Sequence, residues 1–266
     1  MKKLTLHALF ALKQKHEPIS VLTAYDSTFA RLLSRHGVEV ILVGDSLGMV
    51  MQGAASTVPV SMADMVYHTR CVAAGNERAF IVADMPYMSY ATSEQALTNA
   101  AQLMQAGANM VKVEGGQWLV DTVARLTERG IPVCAHLGLT PQSVDALGGY
   151  KIQGREKDAA KQIISDAKAL EKAGAKLLVL ECVPQALAKE ISEKITIPTI
   201  GIGAGKDTDG QVLVLQDMLG LNSDFSPKFV HNFMQDEEVK SIGEAIESFV
   251  AAVKERRFPR PEHSFD

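Results

Sequence analysis

The sequence predicts a closed (β/α)8 TIM barrel with an extra N-terminal helix, and three observations carry that prediction. Short apolar runs rich in Val, Ile and Leu recur and stop on a polar or charged residue: 40–44 on Asp45-Ser46, 80–83 on Asp84, 110–113 on Glu114, 132–135 on His136 and 177–180 on Glu181. Such runs read as strands buried on both faces, hence parallel strands covered by helices. Helical patterns alternate with them, giving eight strands in all. Finally, the joint Gln105-Ala106-Gly107-Ala108-Asn109-Met110-Val111-Lys112-Val113-Glu114 is matched in character by residues 172–181, with 36–43 a weaker third copy. Each joint is a helix end, a Gly suited to the left-handed conformation, then a buried strand. An open doubly wound sheet, the main competitor, leaves edges and usually has fewer strands.

The elements follow in order. A helix over 5–15 precedes a strand over 20–24. A helix over 27–36, closed by Gly37, leads into a strand over 39–43, and a glycine-containing loop runs on to a helix near 62–74 and a strand over 79–83. The next helix begins where Thr92 or Ser93 caps free N–H groups and Glu94 complements the helix dipole. After the strand ending at Glu114 come strands over 133–135, 176–180, 199–202 and 212–215, with helices over 158–173 and 184–194. The loop 137–155, containing Gly138, Pro141, Gly148, Gly149 and Gly154, has the length of a lid or binding loop. A terminal helix over 236–256 is expected to end in a Pro-rich, partly ordered tail beyond about residue 257. No Pro/Gly/Ser-rich linker divides residues 1–266, so a single domain is expected.

Composition excludes several function classes. A hydrophobic fraction of 47% and a charged fraction of 22% are those of an ordinary soluble domain. The net charge of −4 is scattered, leaving no footprint for nucleic acid or an anionic membrane, and Lys254-Glu255-Arg256-Arg257 reads as solvated surface. No apolar run reaches the roughly 20 residues of a membrane span. The start, Met1-Lys2-Lys3-Leu4-Thr5-Leu6-His7, lacks a sustained apolar segment and a small-residue cleavage site, so no signal peptide is expected. Cys71, Cys134 and Cys182 share no CxxC spacing, which argues against a disulfide framework or thiolate zinc site and fits a reducing cytoplasm.

Asp45, Asp84 and Glu114 finish three consecutive strands, so a barrel brings their carboxylates toward one point. Crowded carboxylates repel, and a hard dication such as Mg²⁺ relieves them; the alternative is three separate helix caps or surface ion pairs. Lys112 precedes Glu114 by two residues and so shares its side of the sheet, where it would bind an anionic substrate unless it snorkels to the surface. Ser46 has a hydroxyl and an N–H suited to a carboxylate, though Ser is common in loops. For His136 three roles stay open: proton carrier, substrate hydrogen-bond partner, or structural His. The apolar approach to Glu181 suits it to act as a general base, against a salt-bridged strand end. Ile200-Gly201-Ile202-Gly203-Ala204-Gly205 lacks the P-loop Lys and the dinucleotide spacing, so its glycines read first as turn and packing residues and second as a pocket floor. Trp118, Tyr67 and Tyr150 are too sparse to make an aromatic platform.

The wording of the motifs goes further than their spacing. Thr23-Ala24-Tyr25-Asp26, Leu42-Val43-Gly44-Asp45-Ser46-Leu47-Gly48-Met49, Ala108-Asn109-Met110-Val111-Lys112-Val113-Glu114-Gly115-Gly116, His136-Leu137-Gly138-Leu139-Thr140-Pro141-Gln142-Ser143 and Gly201-Ile202-Gly203-Ala204-Gly205 resemble the ketopantoate hydroxymethyltransferase family. Gly149-Tyr150-Lys151-Ile152-Gln153-Gly154-Arg155 and His263-Ser264-Phe265 do so as well, so the likeness covers nearly the whole chain in order. It implies a TIM barrel that transfers a one-carbon unit from 5,10-methylenetetrahydrofolate to 3-methyl-2-oxobutanoate through a Mg²⁺-stabilised enolate. The product would be 2-dehydropantoate, on the route to pantothenate and coenzyme A. By the same resemblance, Asp45 and Asp84 would bind one Mg²⁺ per subunit, with Glu114 in or just behind the metal shell. Ser46 and Lys112 would hold the substrate carboxylate, His136 would support the substrate or Lys112, and Glu181 would be the base whose product enolate attacks the methylene or its iminium form. A cytoplasmic homo-oligomer, a homodecamer, is also implied.

One departure stands out: many relatives carry Gly-His-Asp after the Gln matching Gln52, whereas this chain has Gly53-Ala54-Ala55. Any contact of that His is absent, while every residue given a role is kept. The nearest rival is a Mg²⁺-dependent C–C lyase or mutase of the phosphoenolpyruvate mutase type, whose lid typically bears a Cys that the loop 137–155 lacks. A non-catalytic metabolite-binding barrel is the other. No residue signature marks a folate pocket.

Overall fold

The computed structural model describes residues 3–222 and 226–266. Eight parallel strands, β1 (Ile19–Thr23), β2 (Val40–Val43), β3 (Phe80–Asp84), β4 (Met110–Glu114), β5 (Val133–Gly138), β6 (Leu177–Glu181), β7 (Thr199–Ile202) and β8 (Gly210–Leu213), close in sequence order. The barrel is the (β/α)8 type. Around and between the strands lie α1 (Leu6–Gln14), α2 (Ser27–Arg35), α3 (Leu47–Val50), α4 (Met62–Gly75), α5 (Ser93–Gln105), α6 (Val120–Glu128), α7 (Val144–Leu147), α8 (Lys157–Ala173), α9 (Gln185–Lys194), α10 (Leu215–Met218) and α11 (Ile242–Lys254).

Strand alternation divides the core into two. Val21, Val40, Phe80, Val82, Met110, Cys134, Leu177, Val179, Ile200 and Val212 fill the barrel as one cluster, while their neighbours in sequence, such as Ile41, Ile81, Val111, Val113 and Leu178, pack outward against the helices. A period of two allows nothing else once both faces are covered. Leu9 of α1 joins the inner cluster beside the first residues of several strands, so α1 plugs the N-terminal end of the barrel. The inner positions continue upward as Asp84, Lys112, Glu114, His136 and Glu181, and there the lining changes from apolar to charged.

Helix starts follow their sequence signals. Thr92 accepts from the Gln95 N–H, and Ser61 with Asp64 forms a reciprocal capping box on α4. Glu39, buried before β2, accepts from the Ser20 N–H and pairs with Lys254 at 2.6 Å, which ties α11 to the barrel.

Four expectations are revised. The last strand runs Gly210–Leu213 rather than 212–215, and β7 reaches it through the loop 203–209 without a helix. Gly210 explains the displacement: a Cβ there would lie 2.4 Å from the Ile19 carbonyl oxygen, so the closing β1–β8 contact needs a residue that interrupts the apolar pattern. The terminal helix starts at Ile242, capped by Ser241, rather than near residue 236. The tail is seated rather than partly ordered: Phe258, His263 and Ser264 are buried, the Ser264 carbonyl accepts from Lys228, and the Phe265 carbonyl accepts from the Gln185 N–H. Finally, the long loop 137–155 is folded, with the end of β5, a 3-10 turn over Pro141–Ser143, and α7.

Because Leu9 is fully buried at the plugged end, far from the charged mouth, Leu9→Ala should cost stability without touching chemistry. Urea unfolding is expected to show a loss of about 2–5 kcal/mol, with turnover retained well below the unfolding midpoint.

Candidate active site

Strand register delivers the charged residues to one place. Asp84 lies beside Lys112, Glu114 beside His136, and Gly138 beside Glu181 in adjacent strands. The Lys112 ammonium is 2.8 Å from Asp84 Oδ1, in ion-pair contact though not aligned as a hydrogen bond, and 3.5 Å from Glu114 Oε1. His136 bridges onward, with Nδ1 3.2 Å from Glu114 Oε1 and Nε2 3.3 Å from Glu181 Oε2. The surface-lysine alternative for Lys112 is thereby excluded, since its side chain is only 5% exposed.

Asp45 enters from the turn after β2, where its backbone N–H donates to Asp84 Oδ2 at 3.1 Å. Gly44, just before it, leaves the floor open: a Cβ there would lie 2.9 Å from Ser46 Oγ and 3.6 Å from Asp84 Oδ2. Ser46 Oγ is 2.8 Å from the Tyr25 hydroxyl. At β5, Gly138 has φ +93, and a Cβ would come within 2.2 Å of the Glu181 carbonyl oxygen, so the β5 and β6 tips meet only because this residue is Gly.

Electrostatics follow from burial and neighbours. Burial, then the charges of Asp84 and Glu114, pushes the Asp45 carboxyl well above its usual range. Burial acts the same way on Glu114, but Lys112 and then His136 overcome it and hold that carboxyl at about 2. Burial disfavours the charged His136 ring, yet Glu114 outweighs it and raises the imidazole to about 9. Lys112 is likewise held charged against its burial by Asp84, Glu114 and Asp45.

Two residues given no role from the sequence prove central. Gln142 is buried; its Nε2 donates to Asp45 Oδ2 at 2.7 Å and to the Met85 carbonyl at 2.9 Å, while its backbone N–H donates to Glu114 Oε2 at 3.1 Å. The Tyr90 hydroxyl donates to its Oε1. Tyr25, buried against Ser46, is the other. Both lie in motifs quoted above, and that wording was the only signal available for them.

The donor set can be tested against a hard dication. Among the described residues no three His, Cys, Asp or Glu side chains converge as a ready metal cluster. Asp84 lies against Asp45, taking the Asp45 backbone N–H on Oδ2, and its Oδ1 meets the Lys112 ammonium alone. Both oxygens of Glu114 are engaged, by His136 and Lys112 on one side and Gln142 on the other, which places it behind that pair. Four carboxyl groups (Asp45, Asp84, Glu114, Glu181) share the mouth with two cations (Lys112, His136), and the crowding that pushes the Asp45 carboxyl up is what a divalent ion relieves. The residues fit such an ion.

Over this cluster lies a cleft of about 730 Å³, open to solvent. It adjoins a larger outer chamber of about 1540 Å³, and the walls the two share include Ser46, Tyr150, Glu181, Asp217 and Phe229. The outer walls add Lys151, Arg155, Lys228 and Phe265.

Comparison with known proteins shows the family. The model of the family described as ketopantoate hydroxymethyltransferase matches residues 3–261. The 3-methyl-2-oxobutanoate hydroxymethyltransferase of Colwellia psychrerythraea is 58% identical over 265 residues, and that of Shewanella loihica is 58% identical over 266, each match covering 100% of both chains. In fold the chain is similar to phosphonopyruvate hydrolase, solved in complex with oxalate and Mg²⁺, with a TM-score of 0.62, 15% identity and 97% of each chain covered. At that identity the likeness shows the barrel alone, so the mutase-type reading keeps only an architectural kinship. On full-length identity at this level, the chain belongs to the ketopantoate hydroxymethyltransferase family and is a transferase.

Proposed function

We propose that the chain transfers the one-carbon unit of 5,10-methylenetetrahydrofolate to C3 of 3-methyl-2-oxobutanoate, forming 2-dehydropantoate on the route to pantothenate and coenzyme A. The observation that carries this reading is the buried chain of charges from Asp45 to Glu181, set at a barrel mouth that opens into a second chamber. One chamber suits a small anionic acceptor and the next a larger donor.

Asp45 and Asp84 would hold one Mg²⁺, with Glu114 behind them; when bound, the ion supplies positive charge where the acceptor's keto oxygen becomes negative. Lys112 and Ser46 receive the acceptor's carboxylate. Lys112 can do so because its ammonium is already desolvated and positioned by Asp84 and Glu114. Glu181 takes the C3 proton on a carboxylate oxygen, and His136, held by Glu114, orients that carboxylate from the far side of its ring. Gln142 fixes Asp45 and Glu114 together, closing the cluster from the loop above β5.

The outer chamber accommodates the folate. Tyr150, Phe229 and Phe265 offer ring faces, and Lys151, Arg155 and Lys228 offer charge to its glutamyl carboxylates. The free cysteines support a reducing, cytoplasmic location, and a homo-oligomer, a homodecamer, accords with the resemblance; sedimentation tests the latter.

The decisive measurement is deuterium exchange at C3 of 3-methyl-2-oxobutanoate by the purified protein. Exchange should require Mg²⁺ and vanish with chelator; metal-independent exchange, or none, would remove the reading. Glu181→Gln should slow this exchange by at least about 10²-fold, and an undiminished rate would point to another base. Asp84→Asn should abolish the heat of Mg²⁺ binding in calorimetry while the fold, read by circular dichroism, persists. Gln142→Ala should weaken Mg²⁺ binding or turnover by about 10–100-fold, measured by the same titration and by steady-state kinetics.

A further inference from the structure

Asp217, in α10 just beyond β8, shares with Glu181 a property no other carboxyl among the described residues has: it lines both the inner cleft and the outer chamber. The roles assigned above leave it idle. Its Oδ1 accepts from Asn222 Nδ2 at 2.9 Å, and among the described residues no Lys, Arg or His lies within ion-pair distance of it. Burial pushes the carboxyl above its usual range, with Asn222 pulling against it. The charged groups around the chamber are Glu181, Lys151, Arg155 and Lys228.

The carbon skeleton of the proposed reaction asks for such a group. C3 of the acceptor bears one hydrogen, which Glu181 removes, so C3 becomes quaternary when the new C–C bond forms. Were that bond made while the one-carbon unit remained on a folate nitrogen, the adduct would keep a C–N bond next to the quaternary centre. No neighbouring hydrogen is then available for elimination, and displacement by water is sterically blocked. The one-carbon unit must therefore leave the folate before it meets C3, and each departing nitrogen needs a proton.

We propose that Asp217 is the proton donor that frees the one-carbon unit from the folate as formaldehyde, an inference that rests on the function proposed above. The Asp217 carboxylic acid gives its proton to N10, the N10–CH2 bond breaks, and its electron pair stays on N10 as N5 forms a C=N bond to the methylene. Water adds to that carbon and returns a proton to Asp217, giving N5–CH2OH. The hydroxyl proton then passes to N5 as the N5–C bond breaks, which leaves tetrahydrofolate and formaldehyde. The C3 carbanion adds to formaldehyde, and the resulting alkoxide takes back the proton that Glu181 had removed. One water is consumed, and both carboxyl groups end as they began.

The test uses the full chain with Mg²⁺ and the isosteric Asp217→Asn. Turnover with methylenetetrahydrofolate should fall by about 10²-fold or more, chiefly in kcat, while C3 deuterium exchange and condensation with free formaldehyde stay within about threefold of the unaltered protein. Asp217→Glu, which keeps the acid, should recover part of the folate-dependent rate. Near-normal folate-dependent turnover in Asp217→Asn, or an equal loss with formaldehyde, would overturn the assignment. Absence of exchange in the unaltered protein would instead sink the function on which it rests.

Discussion

One ammonium group holds this site together. Lys112, buried within the barrel, contacts Asp84 and Glu114 and lies in the field of Asp45. Without it, three carboxylates would share a dry volume with only His136 to offset them. That arrangement would expel charge by protonation or open to water. Its position is set by strand parity: Val111 and Val113 face the helices, so Lys112 and Glu114 must face inward. Every other contact at the mouth assumes that geometry.

The same parity explains how much of the site is legible in the sequence. Apolar runs that end abruptly on Asp84, Glu114 and Glu181 mark strand tips, His136 lies two residues short of one, and a barrel turns tips into a ring. The Lys112–Glu114 spacing adds direction to position, because two residues apart on a strand means one face. Gln142 escaped for a different reason. It occupies a loop, and its path back over β5 into the carboxylates is decided by tertiary contacts that no local pattern encodes. Asp217 escaped because Gly210 and Gln211 break the apolar pattern at the start of β8. The apolar pattern places the strand two residues too late at both ends, which hides the short helix that carries this carboxyl. Glycine there serves the barrel seam, so the feature that closes the fold also blurred its signature.

The two ends of the barrel show a division of labour. At the N-terminal end α1 and the inner Val, Ile, Leu and Phe side chains make an apolar plug whose worth is burial. At the other end the inner positions carry charge, and nothing in packing favours it there. The tail contributes to this second end, since Phe265 lines the outer chamber while Phe258 and His263 anchor the segment behind it. Residues far apart in sequence thus share the walls of one chamber.

A fully apolar filling of the mouth would be easier to stabilise than the charges found there. Replacing a buried ion pair by well-packed apolar residues is often neutral or favourable, whereas removing one partner costs about 3–5 kcal/mol. The charged ring from Asp45 to Glu181 therefore does not read as a stabilising device. Six ionisable groups nonetheless occupy it, four carboxyls to two cations, directly beneath a cleft that opens to a second chamber. Carboxyls crowded in that number push Asp45 toward its neutral form, a strain that is relieved when a divalent ion enters. The arrangement is costly to the fold and useful only in the presence of a ligand, which is the signature of a site shaped by chemistry and not by folding.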